Sequence, residues 1–89
     1  MKNNLRWDQR ADDVFKNLME KTPVFIRGMA QEKILKKIQS LVEQDHRLEI
    51  TEKDVVVAFF EETPFGFHGP MKSDMEKIGV DYTQYGFKK

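Results

Sequence analysis

"KTPVFIRGMAQEKI", Lys21 to Ile34, sets a proline, bulky apolar side chains, an arginine and a glycine directly ahead of a helical pattern. Thr22 suits an N-cap and Pro23 the first helical position, where a missing N–H costs nothing and the fixed φ is already helical. Thr-Pro therefore predicts a helix start. From Ile26 onward, Ile26, Ala30, Ile34, Ile38, Leu41 and Val42 share one arc of a helix, whereas Phe25 and Met29 point to another side. The turns from Val24 to Met29 are thus apolar around most of their circumference, which predicts burial between two neighbouring helices. Gly28 reads as a place where another backbone comes close. Arg27 lies near the apolar stripe, so it must snorkel, pair with a carboxylate or a helix C-terminus, or face a ligand.

Working outward, Ala11, Val14, Phe15, Leu18 and Met19 recur at helical spacing behind Asp8, a suitable N-cap, with Asp12 and Asp13 in the early turns where acidic side chains complement the helix dipole. Trp7 should lie as a lid on that face. Downstream, "ITEKDV" carries Thr51 as N-cap, Asp54 at the third helical position as a short capping box, and Ile50 with Val55 as a hydrophobic staple. The apolar run Val55 to Phe60 could be a buried strand by hydropathy alone; the cap and staple decide for a helix, which Thr63-Pro64 stops. "PFGFHGP" (64–70) is too punctuated for regular structure. "SDMEKIG" then offers a capping box from Ser73 to Glu76 and a glycine stop at Gly79. Val80, Tyr82, Tyr85 and Phe87 in the tail either lie across the domain or wait for a partner.

These readings predict an all-α fold: a three-helix domain over 1–63, with helices at 8–21, 23–45 and 52–62, and an irregular extension over 64–89 carrying one short helix. Phe15, Leu18, Phe25, Ile34, Ile38, Leu41, Val55 and Phe59 form the expected core. Eighty-nine residues suffice for one small core. The absence of cysteine excludes disulfides, cysteine-bound clusters and thiol nucleophiles within the chain. With no apolar leader in "MKNNLRWDQR" and no run of about 18 apolar residues, membrane insertion is not expected and the cytoplasm is the expected compartment.

Formal net charge is zero, but residues 1–47 hold ten Lys/Arg against seven Asp/Glu, and residues 48–63 hold one against five. That balance disfavours nucleic-acid binding, which draws its affinity from phosphate neutralisation.

Taken together, Trp7 and Ala11 as W-x3-A, Pro23, Phe25 and Arg27 as P-x-F-x-R opening a helix that continues through Ile34, and Ile50, Thr51, Asp54 and Val55 as I-T-x2-D-V opening the next resemble the small helical domain at the C-terminus of the light-independent protochlorophyllide reductase B subunit. The chain is similar to short standalone bacterial versions of that domain, over about residues 5–62. The resemblance implies a module associated with a reductase and a link to chlorophyll biosynthesis and photosynthesis. The parent's reductive chemistry lies in other, cysteine-bearing regions, so an oxidoreductase label here would be inherited.

No nucleophile–base pair, phosphate loop or metal-ligand spacing stands out, so no catalytic or metal-binding residue and no cofactor is expected. His46 and His68 read as surface residues, with His68 and Met71 the candidates for an axial contact to a tetrapyrrole metal. The expected function is a non-catalytic auxiliary or protein-interaction module whose partner is a protein, such as a reductase or photosynthesis-related complex. Its candidate contacts are Phe25, Arg27, the basic group Lys33, Lys36 and Lys37, and the tail aromatics Tyr82, Tyr85 and Phe87. Two alternatives are a histone-fold-like dimeric DNA-binding protein, suggested by the helix order, and a chlorophyll-precursor binding protein.

Overall fold

A computed structural model of the chain describes residues 5–89; residues 1–4, with which the leader reading begins, lie outside them. The fold is a small all-α domain. In chain order it runs β1 (Arg6–Trp7), α1 (Gln9–Lys21), α2 (Val24–Gln44), β2 (Glu49–Ile50), α3 (Glu52–Glu62) and α4 (His68–Lys77), with single 3-10 turns at Phe65–Phe67 and Tyr82–Tyr85.

The Asp8 carboxylate caps α1 by accepting from the Ala11 N–H at 2.7 Å. Ala11, Val14, Leu18 and Met19 are buried as the periodicity predicts. Phe15 is half-buried, and Trp7 covers it with ring centroids 5.1 Å apart. Thr22 closes α1 instead of opening α2: its N–H donates to the Met19 carbonyl and its hydroxyl to the Leu18 carbonyl. Pro23 is the N-cap of α2, one residue earlier in role than expected.

The largest correction concerns the apolar girdle. Phe25, expected in the core, is 87% exposed, and Val24 and Met29 are also exposed. Only Ile34, Ile38 and Val42 of α2 are buried, while Leu41 is half-buried. Length explains it. At about 1.5 Å rise per residue α2 is about 31 Å long and α3 about 16 Å, for 21 and 11 residues, so α3 covers only part of α2 and the first turns overhang. A methyl at Gly28 would meet nothing within 4 Å, so no backbone approaches there.

Helix α3 is the central element, packed against both α1 and α2 and burying Val55, Val56, Ala58, Phe59 and Phe60. Its start matches the expectation: Asp54 accepts from the Thr51 N–H at 2.9 Å, and Ile50 and Val55 are both buried. The link before it was not anticipated as a strand. Arg6–Trp7 pairs in parallel with Glu49–Ile50, so the segment ahead of α1 is tied to the segment ahead of α3 within one chain.

Beyond Pro64 there is more regular structure than the sequence suggested. Helix α4 starts at His68, with Gly69 and Pro70 in its first turn, where the proline's missing N–H breaks no helical bond. Ser73 is therefore inside the helix and forms no capping box. Gly79 does end it, at φ +82°, with Val80 N–H bonding back to the Met75 carbonyl and Gly79 N–H to the Glu76 carbonyl. Met71, Met75, Val80 and Tyr82 join the same hydrophobic cluster as the first three helices. The tail lies across the domain: Phe87 stacks on Phe60 with centroids 4.0 Å apart.

Candidate docking groove

Where α2 overhangs, the ends of four helices leave a groove of about 420 Å³. Met19 from α1, Ile26 and Met29 from α2, Phe59 from α3, Phe67 from the 3-10 turn and Met71 from α4 supply its apolar lining. The local causes are readable. Pro64 ends α3, the 3-10 turn swings the chain aside, and α2 runs on past both. Phe25, one turn before Met29 and hence on its side of the helix, is exposed, and so is Phe65 in the 3-10 turn, but neither lines the groove itself.

Four charged side chains also line it: Lys21 of α1, Lys33 of α2, Glu62 of α3 and Asp74 of α4. None of these four makes an ion pair among the described residues.

The remaining candidates are mostly occupied inside the molecule. Arg27 reaches back to the end of α1: its Nη2 donates to the Thr22 and Glu20 carbonyls at 2.9 and 3.0 Å, and its Nε to Thr22 at 3.3 Å. These carbonyls lack helical partners, so Arg27 closes the α1–α2 corner. Lys37 pairs with Glu61 at 2.6 Å, and that hydrogen bond, with the carboxylate's charge, raises the Lys37 pKa above its ordinary value. Lys36 lies 3.7 Å from Glu32. Lys33 alone of the basic group lines the groove.

His68 caps α3. Its Nε2 lies 3.1 Å from the Phe60 carbonyl and 2.9 Å from that of Thr63, and two carbonyl partners require this nitrogen to carry the proton. The ring stands edge-on to Phe60. Of the two tetrapyrrole candidates, then, Met71 faces the groove and the His68 Nε2 is engaged elsewhere. Tyr82 is buried, and its hydroxyl donates to Glu76 at 2.7 Å; that bond, then burial, pushes its pKa up to about 12. Burial, followed by the charge of Glu52, raises that of Tyr85. With Phe87 stacked on Phe60, the three tail aromatics are packing residues.

One polar cluster escaped the sequence reading. Arg47 makes a two-pronged contact with Asp54 at 2.9 and 2.7 Å, and also reaches Asp45 and the Glu49 carbonyl. Burial alone would raise the Asp54 carboxyl; the Arg47 fork and the Thr51 N–H outweigh it and hold the group below the ordinary carboxylate range. The Arg47 pKa is correspondingly raised, first by its bond to Asp54. Among the described residues no three His, Asp or Glu side chains stand together as metal ligands, and every buried side-chain nitrogen or oxygen has a hydrogen-bond partner. The groove therefore offers shape and apolar surface with charges at its margin.

A family model described as "Protein of unknown function (DUF2621)" matches residues 1–88. The chain belongs to this family. No curated protein and no solved structure matches it. Because the DUF2621 match runs through the extension as well as the three-helix part, the α4 and tail residues that complete the groove and core belong to the family's domain.

Proposed function

We propose that the chain is a non-catalytic protein-interaction module that docks a protein through the groove at the overhanging end of α2. One observation carries this reading: Met29 and Phe67 stand exposed in the lining of an apolar depression that Met19, Ile26, Phe59 and Met71 complete, at a cost in hydration that a folded domain ordinarily avoids unless something covers the patch. The resemblance carried by P-x-F-x-R and I-T-x2-D-V supports a reductase-associated assembly as the setting. Within the motif the parts divide: Arg27 and Asp54 hold the fold together, and Phe25 faces outward.

The test is site-directed photo-crosslinking in the native host. A photoreactive phenylalanine at position 67 should give protein adducts, and the same group at Gln31, exposed away from the groove, should not. Absence of adducts at both positions, or equal labelling from both, refutes the reading.

A second reading has one specific support. The groove volume is in the range of small-molecule sites, and Met71, one of the two candidates for an axial contact to a tetrapyrrole metal, lines it. Titration of the purified chain with a metalloporphyrin, followed by absorbance, checks this; saturable binding weakened by Met71→Ala favours it, and no saturable binding removes it.

A further inference from the structure

We draw no further inference here: the strongest candidate, the apolar groove at the overhanging end of α2, is the site already described, and nothing in the structure shows what covers it.

Discussion

Replacing Asp54 by alanine should be among the most damaging single changes to this chain that leaves no large cavity. Asp54 is only 4% exposed and accepts four hydrogen bonds: two from Arg47 and one each from the Thr51 N–H and hydroxyl. Removing the carboxylate takes away a helix cap worth about 1 kcal/mol and strands a guanidinium. Breaking a fully buried pair costs roughly 3–5 kcal/mol, but the Arg47 side chain is 33% exposed and keeps Asp45 and the Glu49 carbonyl. The expected loss is therefore about 2–3 kcal/mol, or a melting temperature about 10–20 °C lower for a domain of this size. Urea unfolding followed by circular dichroism at neutral pH measures it directly. Asp54→Asn, which keeps an acceptor for the Thr51 N–H, should lose less. The same contact makes stability depend on acid. A carboxyl held below its unfolded value of 3.8 contributes fully above that pH and loses its contribution as the pH falls through the lower folded-state value. Wild type should thus lose stability in that acid window more steeply than Asp54→Asn. A loss under 0.5 kcal/mol for Asp54→Ala, or identical acid profiles, would refute the assignment of this cluster as the tie between the α2 C-terminus and α3.

Two further outcomes probe other joints of the fold. His46 ends α2 at φ 57°, with its own N–H and that of Arg47 bonded back to Glu43 and Val42, a glycine's place held by a side-chain-bearing residue; His46→Gly should raise stability by about 0.5–1 kcal/mol, seen as a higher urea midpoint with unchanged slope. Met75, fully buried on α4, should cost about 2–4 kcal/mol when replaced by alanine, and a single unfolding transition with a loss of that size would place α4 in the cooperative core, whereas a loss below 1 kcal/mol would show that it docks only loosely.

What the sequence disclosed depends on the range of the interaction involved. Asp8 acts on Ala11, Thr51 on Asp54 and Ile50 on Val55, each within five residues, so caps and staple could be read from spacing, and those at Ile50 to Val55 outweighed the strand-like hydropathy of Val55 to Phe60. Gly79 was legible for the same reason. Phe25 and Met29 were misjudged because periodicity reports which face is apolar and not whether anything lies against it; that depends on the relative lengths of α2 and α3. The start of α4 was missed because Gly69 and Pro70 are breakers in a helix interior but harmless in its first turn, and only the position of His68 over the end of α3 fixes which case applies. Arg47 and Asp54 are near in sequence, yet no short pattern says that the loop folds the guanidinium onto the cap. The two-residue strands escaped notice because their pairing joins segments some forty residues apart.

The groove follows from the same mismatch that defeated the reading of Phe25. A helix of 21 residues beside one of 11 must either be covered by a further element, carry a polar surface over the excess, or leave apolar surface to solvent. Helix α4 contacts α1, not α2, among the principal packings, so it does not provide the cover. Nor is the excess polar, since Val24, Phe25, Ile26, Met29 and Ala30 all fall within it. Meanwhile Arg27 fixes this exposed end firmly to the last carbonyls of α1, and Lys37 ties the middle of the helix to α3 through Glu61. An apolar surface held rigid before anything binds loses little conformational freedom on being covered, and that is the physical condition under which a small patch can bind well. Firm anchoring of α2 and exposure of its apolar turns are thus two aspects of one arrangement, and together they are what the proposed docking role rests on.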